Sequence, residues 1–277
     1  MNIGLTGNRG LIGSFLEKRL IEEGHEVVLR VDKQDGNDVA ELKDMDAERE
    51  IDILIHCAAV CKINKIIENP SIGFKNALDT FSALEFCRKN NVKKFMYFSS
   101  SRVLSKETNP YTAGKLFGEE LCRAYKECYG IDYIIIRPST VYGPVEDKTN
   151  RLMNIFITNA LKGIDLKIYG DPESKTLDFT YIGDFIDAII LTLNGNWNKE
   201  YNISGGEEVR VFDLAKFIIQ ETQSTSKINI MDEEVAQPQN VKLNLSEIKK
   251  LGYLPKVSLW EGVKMNIEFL KNLDLMT

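Results

Sequence analysis

The sequence has 277 residues, of which 43% are hydrophobic, and a formal net charge of −6. A chain of this length and composition can bury a full core, in one large domain or in a domain with a smaller lobe. The charges are spread without a basic cluster among aromatic residues, which argues against a nucleic-acid surface, and no apolar run reaches the ~18 residues of a membrane span.

The chain opens on the pattern of a strand, a tight turn and a helix. An apolar run over residues 2–6 is followed by Gly7, Gly10 and Gly13 at equal spacing. Such glycines allow unusual backbone angles, close approach of the main chain to a ligand, and close packing of helix on strand. The same spacing also occurs in turns that bind nothing, but a second strand at 26–31 completes a βαβ unit and favours a dinucleotide cradle.

The start of the first strand at residue 2 leaves no room for a signal peptide, so we expect a cytoplasmic protein. The odd number of cysteines, five, argues against a disulfide framework. His56 and Cys57 end an apolar strand without a second ligand pair at zinc-site spacing, and we expect no metal. With only one other histidine, His25, a Ser-His-Asp triad is also poorly supported.

Strand and helix patterns alternate through the first half of the chain. Apolar strands are predicted at 51–56, 95–98 and 133–136, and helices at 39–48, 70–90 and 110–129. Because each strand is apolar along its whole length, the pattern predicts an α/β fold, a Rossmann-like doubly wound parallel sheet with helices on both faces.

The rhythm changes beyond Pro138. Helical patterns at 149–162, 184–194, 211–222, 244–250 and 258–271 alternate with short strands such as 201–203. We therefore predict a dinucleotide-binding Rossmann domain over 1–140, to which the chain returns at 178–203. Residues 141–177 and 204–277 are predicted to form a smaller α/β substrate lobe.

Three residues carry the candidate chemistry. Tyr111 and Lys115 stand at i and i+4 at the start of a predicted helix, so both lie on one face. A phenol is a poor base at neutral pH, and a nearby ammonium favours the phenolate by lowering the phenol pKa. Ser100 follows a parallel strand at the sheet edge where ligands bind. Taken singly, each has an ordinary structural role, but together behind a glycine turn they predict a proton-transferring site.

With these residues in view, the sequence resembles the extended short-chain dehydrogenase/reductase family, also called NAD-dependent epimerases/dehydratases. The resemblance runs over almost the whole chain and rests on motifs in the family's order. The motifs are Thr6-Gly7-Asn8-Arg9-Gly10-Leu11-Ile12-Gly13, His56-Cys57-Ala58-Ala59, Asn76, Phe98-Ser99-Ser100-Ser101-Arg102-Val103, Pro110-Tyr111-Thr112-Ala113-Gly114-Lys115-Leu116-Phe117-Gly118-Glu119, Arg137-Pro138-Ser139-Thr140-Val141-Tyr142-Gly143-Pro144, Asp178-Phe179-Thr180-Tyr181-Ile182-Gly183-Asp184 and Tyr201-Asn202-Ile203-Ser204-Gly205-Gly206.

The resemblance implies an enzyme acting on a nucleotide-diphosphate sugar, usually as a homodimer formed by helices equivalent to 71–90 and 110–128. Tyr111 would be the acid/base, Lys115 would also hold the nicotinamide ribose, and Ser100 would orient the reacting oxygen. The implied cofactor contacts are Gly7, Arg9, Gly10, Leu11, Ile12, Gly13, Arg30, Asp32, Asp38, Val39, Cys57, Ala58, Ala59, Asn76, Tyr111, Lys115, Pro138 and Val141. The implied substrate contacts are Ser101, Arg102, Ser139 and Thr140.

Departures from the family pattern reduce the number of reactions that the sequence supports. Ser101 and Arg102 stand where dehydratases of the family carry an acidic pair, which disfavours dehydration. Tyr111 comes only eleven positions after Ser100, a shorter loop than in the family's sugar 4-epimerases. Thr140 and Leu177 replace residues that many members use on the substrate pyrophosphate. The short loop, Asn109-Pro110-Tyr111 and Thr176-Leu177-Asp178 resemble 4-keto-sugar reductases and place reduction slightly ahead of 4-epimerisation. A non-catalytic NAD(P)-sensing or scaffold protein is the alternative of another class.

The sequence also carries residues that bear on the choice between NAD(H) and NADP(H). Arg9 lies inside the glycine turn and Arg30 near the end of the second strand, an arrangement similar to NADPH-using members in which two arginines meet the 2′-phosphate. Guanidinium groups suit phosphate because they donate hydrogen bonds in a planar fork. The alternative is NAD(H), with Asp32 binding the adenosine ribose. From the two arginines we expect NADP(H).

Overall fold

The computed structural model describes residues 1–145, 151–236, 240 and 242–274. Its strands are β1 (Asn2–Thr6), β2 (Glu26–Val31), β3 (Ile53–His56), β4 (Lys94–Phe98), β5 (Asp132–Pro138), β6 (Thr140–Tyr142), β7 (Leu166–Tyr169), β8 (Thr176–Tyr181), β9 (Lys199–Ile203), β10 (Glu208–Arg210) and β11 (Ile228–Met231). Its helices are α1 (Leu11–Glu22), α2 (Ile63–Glu68), α3 (Pro70–Lys89), α4 (Pro110–Tyr129), α5 (Leu152–Leu161), α6 (Ile182–Leu193), α7 (Val211–Thr222), α8 (Ser246–Lys250) and α9 (Leu259–Asp274).

The main sheet has six strands in the order β2-β1-β3-β4-β5-β9, and every neighbouring pair is parallel. Its strands are apolar and buried, as the continuous hydrophobic runs predicted. The strand order reverses direction between β1 and β3, which opens a crevice at the carboxyl ends of these strands. The predicted doubly wound parallel fold is confirmed.

Helices cover both faces of this sheet. On one face, Leu16 and Leu20 of α1 and Phe185 of α6 join the core of the sheet. On the other face, Phe86 of α3 and Cys122 of α4 lie in a second core. The sequence predicted a helix at 39–48, but this segment forms a 3-10 helix over Val39–Asp44. No helix among the described residues is long and apolar enough to cross a membrane.

The second half of the chain adds two small sheets and a third core. One sheet has the order β10-β8-β6, and the other pairs β7 with β11. The third core lies among α5, α7 and α9, whereas α6 packs on the main sheet and β9 pairs with β5. The helix predicted at 149–162 begins at Leu152, and residues 149–150 lie outside the described residues. The domain boundaries given above stay a prediction.

Candidate active site

The glycine turn between β1 and α1 leaves no room for side chains. Gly7 has a φ of 75°, in the left-handed region, and a Cβ there would lie 2.7 Å from the amide nitrogen of Ala58. A Cβ on Gly13 would collide with the carbonyl oxygen of Gly7. Gly10 caps α1 without a side-chain hydrogen bond, so the positive end of the helix stays open to an anion. The turn therefore fits the pyrophosphate of a dinucleotide.

The carboxyl end of β2 brings a carboxylate to this turn. Asp32 directly follows β2, and one of its oxygens accepts a hydrogen bond from the backbone N–H of Arg9 at 3.2 Å. The guanidinium of Arg9 pairs with Asp35 at 2.8 Å, and that of Arg30 pairs with Glu17 of α1 at 2.6 Å. Both arginines that the sequence analysis assigned to a 2′-phosphate are thus held by carboxylates, with a third carboxylate beside the turn.

Asp38 and Val39 lie where the chain enters the 3-10 helix below the turn. Asp38 caps this helix through the N–H of Ala40 and also binds Lys75 and Lys33. Burial tends to raise the pKa of Asp38, but the hydrogen bonds from Ala40 and the two lysines outweigh it, and the pKa is lowered. Val39 is buried in the core beside α3. Asp38 is therefore an anionic anchor of this loop.

His56, at the end of β3, is a structural residue. Thr6 Oγ1 lies 2.8 Å from its Nδ1, and Thr80 Oγ1 lies 3.3 Å from its Nε2. Burial lowers the pKa of His56 to about 3, so the imidazole stays neutral. Thr6 Oγ1 also accepts the N–H of Ala58 at 3.3 Å. These contacts fix the start of the loop that faces the glycine turn.

Asn76 of α3 holds the next part of the same loop. Its amide donates to the carbonyl oxygen of Val60 and accepts the Val60 N–H, both at 2.9 Å. Cys57 and Ala59 lie between β3 and this clamp, and burial raises the pKa of the Cys57 thiol. The geometry therefore gives Asn76 a role in shaping the loop; its direct contact with a cofactor stays a prediction.

Ser100, Tyr111 and Lys115 come together at the carboxyl end of β4. The side chain of Asn109 caps α4 by accepting the N–H groups of Tyr111 and Thr112, which fixes the first turn of the helix. The Ser100 hydroxyl lies next to the Tyr111 phenol, near enough to lower its pKa. Lys115 Nζ, one turn further along, donates to the carbonyl oxygen of Phe98 at 2.7 Å. All three side chains are buried.

The groups that lower the pKa of Tyr111 are not the one expected from the sequence, which was the ammonium of Lys115. Burial raises the pKa of Tyr111, and the Cys61 thiol beside the phenol acts in the same direction. The Ser100 hydroxyl and the positive charge of Arg102 lower it. Burial also lowers the pKa of Lys115. Arg102, which the sequence analysis assigned only to the substrate, thus acts directly on the phenol.

The predicted substrate residues occupy two neighbouring places. Ser101 is buried at the start of a short 3-10 turn, Ser101–Leu104. Ser139 and Thr140 lie where β5 passes into β6, and the Ser139 hydroxyl lies 2.6 Å from Thr180 Oγ1. In the same segment, Pro138 is half-buried and the Val141 side chain belongs to the main core. The Ser139 hydroxyl is therefore already hydrogen-bonded within the protein, to Thr180.

Two contributors to the site, Glu119 and Cys61, were given no role there by the sequence. Glu119, four residues after Lys115, is buried and accepts hydrogen bonds from Ser99 and Arg137. Its spacing of four from Lys115 was a usable signal, because it places Glu119 on the same helix face. Cys61 lies beside Tyr111 because of the course of the loop after β3. The sequence does not indicate that course.

Comparison with known proteins identifies the same family as the sequence motifs. The family model described as "NAD dependent epimerase/dehydratase family" matches residues 3–204. A protein of Methanocaldococcus jannaschii described as a putative UDP-glucose 4-epimerase is 30% identical, over 97% of this chain and 98% of the relative.

Two solved structures have the same fold. UDP-glucose 4-epimerase of Thermotoga maritima, solved with UDP-glucose, is similar with a TM-score of 0.91 and 24% identity, covering 99% of each chain. UDP-glucuronic acid 4-epimerase from Bacillus cereus was solved in complex with UDP-glucuronic acid and NAD. It is similar with a TM-score of 0.86 and 25% identity, covering 99% of this chain and 100% of that one.

Proposed function

The chain belongs to the NAD-dependent epimerase/dehydratase family, and on that basis we propose that it is a nucleotide-sugar 4-epimerase that retains NAD through each turnover. The observation that carries this proposal is the carboxylate of Asp32 beside the glycine turn, with both nearby arginines held by other carboxylates. The related protein described as a putative UDP-glucose 4-epimerase, and the solved UDP-glucuronic acid 4-epimerase with bound NAD, support it.

The charge at the end of β2 argues for NAD over NADP. Asp32 would accept hydrogen bonds from the two hydroxyls of the adenosine ribose, whereas a 2′-phosphate would meet this carboxylate and that of Asp35. To bind a 2′-phosphate, Arg9 and Arg30 would have to leave Asp35 and Glu17. This reverses the sequence-based preference for NADP(H), and it favours the closed redox cycle of an epimerase over net reduction.

The residues present fit a bound dinucleotide. The crowded Gly7 and Gly13 and the open N-terminus of α1 fit a pyrophosphate, and Asp32 fits the ribose. Lys115 would hold the nicotinamide ribose at the other end of the site. When bound, NAD supplies the hydride acceptor that takes the hydrogen from the sugar carbon and gives it back.

Residues of the chain would transfer the proton of the C4 hydroxyl. Tyr111 would accept the proton of the C4 hydroxyl as the ketone forms and return it as the alcohol is restored, while Ser100 orients the same oxygen. Arg102 stabilises the phenolate form of Tyr111 electrostatically. Burial of the cluster excludes water, which protects the ketone between the two half-reactions.

A 4-keto-sugar reductase is the second candidate. The short spacing of eleven positions from Ser100 to Tyr111 favours it over an epimerase, whereas the missing acidic pair at Ser101 and Arg102 argues only against dehydration. The buried cluster of Ser100, Tyr111 and Lys115 argues against a non-catalytic sensor, since packing alone does not require these three polar groups together.

We also propose that the protein is a homodimer through α3 and α4. These helices pack closely, because a Cβ on Gly114 would lie 2.8 Å from the carbonyl oxygen of Gly73. Next to this crossing, Phe74 is 67% exposed and Phe117 is 50% exposed. Two such phenylalanines on adjacent helices form an apolar surface that a second copy would cover.

Calorimetric titration with NAD and NADP, on protein from which nucleotide has been removed, tests the coenzyme assignment. We expect NAD to bind more tightly, Asp32→Ser to weaken NAD binding about 10-fold or more, and the double variant Arg9→Ala, Arg30→Ala to retain it. Incubation of UDP-glucose or UDP-glucuronate with protein reloaded with NAD, and freed of excess coenzyme, then tests the reaction. Preference for NADP, lost in the double variant, together with oxidation of NADPH by a 4-keto sugar nucleotide would support the reductase instead.

A further inference from the structure

Arg102 differs from the other arginines of the protein in lacking an ion pair. In the part of the chain that the structure describes, no hydrogen bond or ion pair is formed by its guanidinium, and every other arginine has a partner. Those with a carboxylate partner are Arg9, Arg19, Arg30, Arg49, Arg88, Arg123, Arg137 and Arg210, and Arg151 also forms an interaction. A half-buried cation without a partner is costly, which points to a ligand.

Arg102 lies next to the two residues proposed to act on the sugar, Ser100 and Tyr111. Its backbone N–H donates to Ser100 Oγ at 3.2 Å, and its guanidinium interacts electrostatically with the Tyr111 phenol. Ser100 and Tyr111 are the residues proposed to hold the C4 oxygen of the sugar. Arg102 therefore lies beside the residues proposed to hold carbon 4 of the sugar.

Two carboxylates near Arg102 are already engaged elsewhere. Glu234 binds Asn64 at 2.9 Å and Lys175 at 3.4 Å, and Glu107 binds the hydroxyl of Ser105. Both influence Arg102 through space, but neither lies within the 4.0 Å of an ion pair among the described contacts. The guanidinium thus keeps its donors for an anion that enters with the substrate.

Building on the proposed function, we propose that Arg102 selects a nucleotide-linked uronic acid by binding its carboxylate. The carboxylate of a uronic acid is attached to carbon 5, next to the reacting carbon 4. The diphosphate is attached to carbon 1, at the opposite end of the ring. A planar guanidinium matches a carboxylate with two parallel hydrogen bonds, which a neutral CH₂OH group at the same place cannot provide.

The test compares UDP-glucuronate with UDP-glucose, by turnover in the NAD-loaded enzyme and by calorimetric binding in a Tyr111→Phe background, where bound sugar is not converted. We expect the wild type to prefer UDP-glucuronate and Arg102→Met to lower the ratio of the two kcat/KM values about 30-fold. Arg102→Lys, which keeps the charge but loses the fork, should recover part of this ratio. Arg49→Met, on a surface pair with Glu26, is the matched control and should leave the ratio unchanged.

Three results would overturn the proposal, and they are distinguishable. An equal loss for both sugars in Arg102→Met would mean that Arg102 acts on the Tyr111 phenol or on a group that both substrates share, and does not select the carboxylate. An unchanged ratio, with UDP-glucose converted and bound as well as UDP-glucuronate, would remove Arg102 as a selector and leave the epimerase intact. Failure of the wild type to bind or convert either sugar, with NAD in place, would overturn the proposed function and the uronic-acid proposal with it.

Discussion

The carboxylate of Glu119 accepts two hydrogen bonds from the guanidinium of Arg137, at 2.8 and 2.5 Å, beneath the candidate active site. The same carboxylate accepts the hydroxyl of Ser99 at 2.6 Å. Glu119 thus ties α4, which carries Tyr111, to the ends of β4 and β5. The cost of burying this charge is offset by the hydrogen bonds that both of its oxygens accept.

Removal of this carboxylate should destabilise both the fold and the site. Glu119→Ala would leave the half-buried Arg137 without this partner, and we expect a loss of about 3 kcal/mol in the free energy of unfolding, or about 10 °C in Tm. Thermal unfolding measures it. Glu120→Ala, at an exposed neighbour paired with Arg123, is the matched control. Equal Tm values for the two variants would contradict the assigned role.

The phenol of Tyr111 should be required for turnover and not for folding. Tyr111→Phe keeps the ring in its buried place but removes the hydroxyl proposed to move the proton, so we expect kcat to fall about a thousandfold. Product formation is measured alongside the amount of bound NAD, which should stay at the wild-type level. Tyr125→Phe, on the same helix with its hydroxyl on Glu85, should keep full activity. A Tyr111→Phe enzyme with normal kcat would exclude Tyr111 as the acid/base.

The exposed face of α3 and α4 should control the oligomeric state. Placing a charge in an apolar contact costs free energy in the dimer but not in the monomer, so Phe74→Glu and Phe117→Glu should each give monomers. Sedimentation velocity at micromolar concentrations distinguishes the two states. Ile21→Glu on α1, where the side chain is 53% exposed, should remain dimeric. A wild type that sediments as a monomer would refute the dimer.

Asp178 should make stability depend on pH. Burial raises its pKa to about 6, and the hydrogen bond from Ser204 opposes this only in part. The folded state therefore binds the proton more tightly than the unfolded state, and this group lowers stability as pH rises from about 4 to about 6. Asp178→Asn removes that effect, so its free energy of unfolding should gain up to about 3 kcal/mol relative to wild type between pH 4 and pH 7.

Denaturant unfolding across this pH range measures the difference between the two proteins. The exposed Asp46→Asn serves as the control and should follow the wild-type curve. Parallel curves for Asp178→Asn and wild type would show that the carboxyl titrates alike in both states.

Much of the fold could be predicted because it depends on local patterns. The apolar run of β1, the glycine spacing after it and the four-residue step from Tyr111 to Lys115 are all visible within a few residues. The 3-10 helix at Val39–Asp44 was expected as a longer helix, because the same apolar spacing suits both forms over one or two turns.

The partners of charged side chains could not be predicted in this way. The pairing of Arg9 with Asp35 and of Arg30 with Glu17 depends on how separate elements meet in space. The approach of Cys61 and Arg102 to Tyr111 depends on two loop paths. The proposed preference for NAD rests on those pairings, so the sequence alone could not indicate it.

The most direct test of 4-epimerisation with retained NAD follows the hydrogen on carbon 4. UDP-glucuronate and UDP-glucose, each deuterated at carbon 4, are incubated with the purified protein without added coenzyme, and the products are analysed by NMR and mass spectrometry. We predict that the 4-epimer forms and keeps its deuterium at carbon 4, because the hydride never leaves the site. Absence of the epimer, with NADPH consumed when a 4-keto sugar nucleotide is supplied, would contradict the account.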